Sequence, residues 1–427
     1  MERNFKLGVE FAKELDSKDE LKSYRERFYL GEGELYFDGN SLGACSKDAE
    51  ESLLEMLDVW KKEKILIWNV KDGKYFKYPQ YLGGLSAPLV NADENEITIT
   101  NNTTMNIHSA LATFYRPTGE RYKILVDELN FPSDAHAVAS QVKLHGLDPD
   151  KAIKVVKSRD GRNIEEDDII EAMTDDVAVA LLPSVLYRSA QLLDMERLTK
   201  AGHDKGIIVG WDLSHSIGSV PHDFKKVDPD FAVWCTYKHL SGGPGSNAAL
   251  YINKKHFGTD PGLAGWFGNK TESQFLMDHR HDPELDADAW LTGTPNMLSM
   301  APIEGVLKLF NAAGIHNIRE KSLFLTDYLV FLIENRLEKY GFKNGTLKDH
   351  NRRGGHIALE HDDAYRISLA LKEKNVIPDF REPNVIRLAP VALYNSFEDV
   401  HKVVDILEEI VTEKTYEKFS DKRALVV

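Results

Sequence analysis

The stretch FAVWCTYKHLSGGPG, residues 231–245, contains the features that decide the fold. Its first part is a continuous apolar run, typical of a strand that is buried on both faces, and its second part is a glycine-rich loop. Lys238 lies where the strand ends and the loop begins. Ligands of open α/β sheets bind beyond the carboxyl ends of strands, so this position is typical of a functional lysine. For any single lysine, however, a solvent-exposed place at a strand end is commoner.

Six further runs in the chain have the same buried-strand pattern. They are EITIT (96–100), YKILVD (122–127), IKVV (153–156), VAVALL (177–182), IIVGWD (207–212) and AALYIN (248–253). Helical patterns lie between most of them, for example over 104–115, 133–145 and 195–205. Apolar strands separated by helices predict an α/β fold with a mostly parallel, seven-stranded sheet covered by helices.

The chain has a different pattern beyond about residue 300. A long helical stretch is predicted from Met300 to Tyr340, with breaks at Gly314 and near Lys321. It is followed by HIALEH, a helix over 364–374, VIRLAP and a closing helix over 397–413. These elements predict a smaller C-terminal α+β domain. We expect an N-terminal helical segment over 1–60 that packs on the small domain, a large domain over 61–305 and the small domain over 306–427.

Composition narrows the class of protein and its partners. The net charge of -15 gives a surface that repels nucleic-acid phosphate and anionic lipid, so neither partner is expected. Two cysteines, Cys45 and Cys235, are too few for a disulfide framework, and no Cys/His cluster indicates a metal site. The first residues mix acids and bases without an apolar core, and no apolar run is long enough to span a bilayer. We therefore expect a cytoplasmic protein.

A second strand end supports a catalytic interpretation of Lys238. Asp212 follows the apolar run IIVGW, 26 residues before Lys238. A lysine and a carboxylate on neighbouring strand ends suit pyridoxal phosphate (PLP), because the lysine binds its aldehyde as a Schiff base and the carboxylate keeps its pyridine nitrogen protonated. His215 either stacks on the ring or bonds to it, or is an ordinary structural histidine.

The stretch EITITNNTTMNIH, residues 96–108, predicts a site for the cofactor phosphate. It reads as a strand, a polar turn and the start of a helix, with Asn101 or Asn102 as the helix cap. The free N–H groups and hydroxyls of Thr103 and Thr104 would then face an anion. Helix caps of this kind are also common without any ligand.

With these residues in place, the chain resembles the kynureninases, PLP enzymes of the aspartate-aminotransferase-like fold, and the bacterial members most closely. The matching stretches extend over nearly the whole chain: FDGNSLG (37–43), the WN, LG and APLV positions of 68–90, TTMNIH (103–108), FPSD (131–134), DLSHSIG (212–218), TYKHLSGGPGS (236–246), GWFG (265–268), GTP (293–295), RGGHIALEH (353–361), DFREPNVIRLAP (379–390) and LYNSF (393–397).

The resemblance implies roles for particular residues. It implies the Schiff base at Lys238, the pyridine-nitrogen partner at Asp212, and catalytic work by Tyr237 as well. The implied cofactor contacts are Thr103, Thr104, Phe131, Asp134, Asp212, His215, Tyr237, Trp266 and Thr294. The implied substrate contacts are Arg387, Trp68, Asn40 and Ser41. In this family Trp266 and Thr294 would come from the partner subunit of a homodimer, which places the active sites at the subunit interface.

The resemblance also implies a reaction, hydrolysis of the Cβ–Cγ bond of L-kynurenine to anthranilate and L-alanine in tryptophan catabolism. 3-Hydroxykynurenine and other β-carbonyl amino acids stay open as substrates. Tyr237 is a candidate acid/base, on the expectation that a cationic cofactor lowers the pKa of its phenol. Ser184 and Asn269 depart from the family pattern at positions expected near the substrate.

Other functions within and outside this fold remain alternatives. A cysteine desulfurase or selenocysteine lyase shares fold and cofactor, but it needs a mobile thiolate, which neither Cys45 in its turn nor Cys235 in its strand suggests. An aminotransferase would depend on a keto-acid acceptor. A PLP-binding regulatory module without turnover is disfavoured by the combination of Lys238, Asp212 and Arg387.

Overall fold

A computed structural model describes residues 4–422 of the chain. The α-helices are α1 Val9–Ser17, α2 Lys47–Glu63, α3 Tyr78–Val90, α4 Thr103–Phe114, α5 Pro132–Leu144, α6 Pro149–Ala152, α7 Glu166–Ala172, α8 Met195–His203, α9 Phe224–Val227, α10 Thr271–Gln274, α11 Met297–Ala313, α12 Ile315–Leu332, α13 Ala364–Glu373 and α14 Phe397–Thr412. The strands are β1 Leu35–Tyr36, β2 Ile97–Thr100, β3 Lys123–Asp127, β4 Ile153–Val156, β5 Val177–Pro183, β6 Ile208–Asp212, β7 Phe231–Trp234, β8 Ala248–Ile252, β9 Lys343–Asn344, β10 Ile357–Glu360, β11 Val376–Ile377, β12 Asp379–Arg381 and β13 Val385–Leu388.

The seven apolar runs form one seven-stranded sheet, in the order β2-β8-β7-β6-β5-β3-β4. β8 is antiparallel to both of its neighbours, and the other pairs are parallel. The predicted mostly parallel α/β fold is therefore confirmed. β6 and β7 are adjacent, with Asp212 beside Val233, so the segments that follow both strands leave the same edge of the sheet.

Both faces of this sheet are covered, which explains why its strands are apolar without alternation. Along β7, Phe231 and Val233 belong to one hydrophobic core, while Ala232 and Trp234 belong to the core on the opposite face. All four side chains are fully buried. Because successive side chains of a strand point to opposite faces, a strand with helices on both sides must be apolar at every position.

The C-terminal part of the chain forms the predicted smaller α+β unit. β12, β13, β10 and β9 make an antiparallel four-stranded sheet, which shares a third hydrophobic core with α12, α13 and α14. The predicted helix break at Gly314 is confirmed, since α11 ends there at a positive φ of 79°. The break predicted near Lys321 is wrong. Lys321 lies inside α12, buried, with its ammonium 2.7 Å from Asp19, so an ion pair makes a lysine tolerable within a packed helix.

The N-terminal segment is divided between the two units. α1 contributes Ala12 and Leu15 to the core of the small unit, and the Asp16 carboxylate accepts the first N–H groups of α14. α2, in contrast, packs along α11 beside the large sheet. The domain boundaries given above stay a prediction. No helix within residues 4–422 is both long and apolar enough to cross a membrane.

Candidate active site

A cavity of about 200 Å³ lies beyond the carboxyl ends of β6 and β7. The loop after β1 and the strands β12 and β13 close it from the side of the small unit. Its walls are formed by Asn40, Ser41, Thr103, Thr104, Phe131, Ser133, Asp134, Tyr187, Asp212, Ser214, His215, Tyr237, Lys238, Arg381 and Arg387. Eleven of the fourteen residues predicted for the site therefore meet in one cavity.

Lys238 is held by a tight turn after β7. Its carbonyl accepts the N–H of Ser241, at 2.8 Å, and the residue before it accepts the N–H of Gly43 through the Tyr237 carbonyl. A Cβ on Gly43 would lie 2.4 Å from the Lys238 carbonyl oxygen, so only glycine fits against this turn. The turn and its glycine thus fix the lysine backbone and leave the amine in the cavity.

The Lys238 amine meets an imidazole and an aromatic ring. Its Nζ is 2.8 Å from Nε2 of His215 and 5.7 Å from the centre of the Phe131 ring. Burial lowers the pKa of His215 well below its usual range, and the charges of Lys238 and Arg387 lower it further. The imidazole is therefore neutral and accepts a hydrogen bond from the amine. Its Nδ1 is buried without a partner among the described residues.

Two carboxyl groups, Asp134 and Asp212, face each other in the cavity. Both are buried, and Asp212 Oδ1 accepts the N–H of Ser214 at 2.8 Å. Burial raises the pKa of Asp134 well above its usual range, and the neighbouring Asp212 carboxylate raises it further. Asp134 Oδ2 has no partner among residues 4–422. The pair therefore suits a protonated, cationic ligand atom placed beside it.

The N-terminus of α4 opens into the same cavity. The Asn102 side chain caps it by accepting the N–H of Met105 at 2.9 Å, and Thr103 and Thr104 stay without an intrahelical acceptor, as first-turn residues do. Thr104 Oγ1 lies 2.6 Å from Ser133 Oγ, at the start of α5. Hydroxyls and N–H groups converging at a helix N-terminus favour an anion.

Arg387 forms the opposite wall and is fully buried. Its Nε donates to Asp379, its Nη1 donates to the Tyr187 carbonyl at 2.7 Å, and its Nη2 donates to Ser41 Oγ at 3.0 Å. Asn40 beside it is also fully buried, and neither polar atom of its side chain has a partner among the described residues. A buried amide of this kind costs free energy until a ligand pairs with it.

The phenol of Tyr237 is less acidic in the protein alone than an ordinary tyrosine. Burial raises the pKa of its phenol, and neighbouring Cys235 and Asp212 raise it further. The lowered pKa expected for Tyr237 concerns the cofactor-bound protein and stays a prediction. Without a bound cofactor, the phenol holds its proton at neutral pH and can donate a hydrogen bond.

Three predicted residues lie outside the cavity. Trp68 lines an apolar groove of about 450 Å³ together with Met56, Trp60 and Leu298. Thr294 lines a separate polar pocket near Asn101 and Asn102. Trp266 is 41% exposed on the surface. All three lie away from Lys238 within a single chain.

Ser184 and Asn269, two of the positions that depart from the family pattern, also lie outside the cavity. Ser184 is buried behind β6, where its hydroxyl donates to the Asp212 carbonyl at 3.1 Å. Asn269 lines a small pocket with Phe76 and Gln80. Neither residue touches the space in front of Lys238.

Sequence reasoning missed four residues of the cavity wall. Ser133, Tyr187, Ser214 and Arg381 line it but were not assigned to the site. Ser133 and Arg381 stand inside stretches that carried the resemblance, FPSD and DFREPNVIRLAP, and Ser214 follows Asp212 by two residues. Tyr187 belongs to a Tyr-Arg pair of the family pattern, and only the fold brings its segment to the wall. Within residues 4–422, no group of three His, Cys, Asp or Glu residues is arranged to hold a metal ion.

Known proteins of similar sequence are kynureninases. The family model described as the kynureninase C-terminal domain matches residues 318–407. A kynureninase of Geobacillus thermodenitrificans (strain NG80-2) is 52% identical over 418 residues, covering 98% of both chains. A kynureninase of Bacillus anthracis is 53% identical over 422 residues, covering 99% of both.

Solved structures of low sequence identity share the fold. A cysteine desulfurase from Thermococcus onnurineus NA1 superimposes with a TM-score of 0.77 at 17% identity, covering 92% of this chain and 98% of that one. A cysteine desulfurase from Escherichia coli gives a TM-score of 0.75, also at 17% identity and with the same coverage. At this identity the likeness concerns the fold alone.

Proposed function

This chain belongs to the kynureninase family, and from that premise we propose that it hydrolyses the Cβ–Cγ bond of L-kynurenine to anthranilate and L-alanine. One observation carries the proposal beyond relatedness. The cavity joins a lysine amine, a pair of buried carboxyl groups and a fully buried arginine, all at the edge where the large sheet meets the small unit. These are groups for an amino-acid substrate and a PLP cofactor.

The unpaired groups of the cavity fit PLP. Asp134 Oδ2 and His215 Nδ1 are buried without partners among residues 4–422, and the N-terminus of α4 presents Thr103 and Thr104 to an anion. We assign the aldehyde carbon to Lys238, the protonated ring nitrogen to Asp212 with Asp134 close by, the ring face to Phe131 and the phosphate to Thr103, Thr104 and Tyr237. When bound, this cofactor withdraws electrons from the substrate Cα.

The side chains of the cavity divide the remaining work. Arg387 binds the substrate α-carboxylate, for which a guanidinium fork is well shaped, and Asn40 and Ser41 add hydrogen bonds beside it. Lys238 removes and returns the proton at Cα, with the neutral His215 imidazole as its hydrogen-bond partner. The phenol of Tyr237 donates to the γ-carbonyl oxygen as water adds.

The cysteine-dependent alternative loses support in the structure. Cys235 is buried, and burial raises the pKa of its thiol. Cys45 is exposed, but partial desolvation and Glu50 also raise the pKa of its thiol. Neither is the low-pKa thiolate that sulfur transfer needs.

A direct assay tests the activity. The purified chain, loaded with PLP, is incubated with L-kynurenine, and anthranilate is followed by its fluorescence, with 3-hydroxykynurenine, L-cysteine and an amino acid plus a keto acid in parallel. We expect anthranilate and L-alanine in equal amounts. Sulfide from L-cysteine, or turnover only with a keto acid, would replace this function by one of its rivals.

We further propose a cytoplasmic homodimer whose active sites are completed across the interface. Trp266 and Thr294 lie outside the cavity of their own chain, as side chains supplied to a partner would. The apolar groove with Trp68 and the exposed Trp60 and Leu298 are a surface that a second copy would cover.

Subunit complementation tests the shared site. We expect a Lys238→Ala chain and a Trp266→Ala/Thr294→Ala chain to be inactive alone. In a mixed dimer, one site would combine the intact lysine of one chain with the intact Trp266 and Thr294 of the other. Co-expression should therefore restore turnover that neither parent has. If the mixed dimer forms without any gain, the partner contribution is refuted.

A further inference from the structure

The cavity contains a second arginine that the proposed function leaves without a task. Arg381 lines the same wall as Arg387, and its Nε donates to Asp379 Oδ2 at 2.9 Å. The same carboxylate oxygen accepts the Nε of Arg387, so one aspartate holds both guanidinium groups side by side. Asp379 is therefore the common anchor of two cations.

The two guanidinium groups differ in which of their nitrogens already have hydrogen-bond partners. The side chain of Arg387 is fully buried, and each of its three nitrogens has a partner. The side chain of Arg381 is 33% exposed, and neither of its Nη atoms has a hydrogen-bond partner within residues 4–422. Arg381 thus lies on the solvent side of Arg387, with its donors available to whatever extends from the α-carboxylate toward the mouth of the cavity.

The chemistry of the reaction creates a new anion on the aromatic part of the substrate. A water oxygen bonds to Cγ, the Cβ–Cγ bond breaks, and its electron pair goes to Cβ, which takes up a proton. The second proton of the water is released when the new aryl acid ionises. The products together carry one negative charge more than the substrates, and it lies on the carboxylate formed at Cγ.

We propose that Arg381 binds this newly formed carboxylate, and that it makes the site selective for aromatic products and inhibitors that carry one. The inference rests on the proposed function and divides the two arginines by task. Arg387 binds the carboxylate that is present throughout, on the alanine part, whereas Arg381 binds the one that appears on the aromatic part. A planar guanidinium that is anchored through Nε leaves an Nη pair that matches a carboxylate.

The test compares inhibition by the two products. Inhibition constants of anthranilate and of L-alanine are measured in the PLP-loaded wild type, in Arg381→Gln and in Arg381→Lys, with L-kynurenine as substrate. Because Arg381→Gln removes a charged hydrogen-bond donor, it should weaken inhibition by anthranilate by about tenfold or more. Inhibition by L-alanine should stay within about twofold, and Arg381→Lys should recover part of the anthranilate affinity, since it restores the charge without the fork.

A control variant and the wild type distinguish a failure of the proposed function from a failure of the role proposed for Arg381. The Arg159 side chain is 69% exposed and paired with Asp168 at the surface. Arg159→Gln should therefore change neither the inhibition constant of anthranilate nor that of L-alanine. If wild type produces no anthranilate from L-kynurenine, the proposed function fails. If wild type is active but Arg381→Gln leaves anthranilate inhibition unchanged, or weakens L-alanine instead, the role of Arg381 is overturned. Should Arg381→Gln fail to retain PLP absorbance, Arg381→Lys alone decides by the same ratio.

Discussion

The two ends of the cavity are built in different ways. The lysine end consists of Asp212, His215, Tyr237 and Lys238, which follow two adjacent parallel strands and lie within 27 residues of sequence. The arginine end joins Ser41, the Tyr187 carbonyl and Arg387, and the hydrogen bond between Ser41 and Arg387 spans 346 positions. The lysine end thus depends on the register of one sheet, and the arginine end depends on how the small unit docks. Substitutions at the two ends should therefore affect different properties of the enzyme.

The largest effect is expected at the lysine end. Lys238→Ala removes both the imine partner of the cofactor and the base at Cα, so turnover should fall by at least about 10³-fold, within the range of general acid–base contributions. The imine absorbance of the bound cofactor should disappear with it, as measured by a spectrum of the purified protein. An active Lys238→Ala protein with an unchanged spectrum would refute the assignment, and Arg159→Gln is the surface control.

A smaller effect, of a different kind, is expected at the arginine end. Arg387→Gln should raise KM for L-kynurenine by about 10- to 100-fold, since it removes charge-assisted hydrogen bonds worth about 1.5–3 kcal/mol. The cofactor spectrum should stay intact, because the hydrogen bonds of Arg387 go to Asp379, Tyr187 and Ser41 and not to Lys238 or Asp212. Steady-state kinetics with Arg387→Lys alongside measure the effect. If KM stays as in wild type, the substrate carboxylate binds elsewhere.

The buried carboxyl pair should make the lysine end sensitive to pH. The pKa of Asp134 is raised in the folded protein, so the native state binds this proton more tightly than the unfolded chain does. That contribution to stability is present at low pH and is lost as pH rises through the raised pKa. Asp134→Asn imitates the protonated carboxyl. In the cofactor-free protein it should raise Tm relative to wild type by roughly 2 °C or more at pH 8, and less at pH 5.

A matched surface change shows whether that pH dependence is specific. Asp175→Asn, at an exposed position, should give the same small difference in Tm at both pH values. A gap between Asp134→Asn and wild type that grows toward low pH would have the wrong sign, and it would contradict the raised pKa.

The smallest effect is expected for an ion pair that joins the two units. Arg162 Nε donates to Glu360 Oε1 at 2.8 Å, but the Arg162 side chain is 43% exposed. Exposed pairs contribute less than about 1 kcal/mol, so Arg162→Gln should lower Tm only slightly and leave KM unchanged. Calorimetry and kinetics together check this. A KM increase comparable to that of Arg387→Gln would show that the arginine end depends on this contact.

Much of the lysine end was predictable because its signals are local. A strand is recognisable from its apolar run, its end from the residues that follow, and adjacent parallel strands bring their ends to one edge. Lys238, Asp212 and a helix cap at Asn101 or Asn102 could be placed in this way, and the structure shows Asn102 as the cap. The pKa of Tyr237 in the protein alone could not be predicted from the sequence, because it depends on how much solvent the folded chain removes from the phenol.

The helical region shows the same limit in a structural element. Gly314 was recognisable as a helix break because glycine adopts positive φ without strain. The break predicted near Lys321 is wrong, because this lysine is buried inside α12 and paired with Asp19. Its partner, Asp19, is about 300 positions earlier in the chain, and nothing local to Lys321 indicates it.

The sequence by itself determined the α/β class, the seven strands of the large sheet and the position of Lys238 at its edge, because backbone periodicity and strand ends are local properties. No local pattern decided which distant groups face that lysine, and only the tertiary structure shows how they meet. It joined Asn40, Ser41, Tyr187 and Arg387 in one wall, placed Arg381 beside Arg387 on a shared aspartate, and left Trp68, Trp266 and Thr294 outside the cavity of their own chain. Contacts between distant segments depend on how the two units dock, and no residue pattern within either segment encodes that docking.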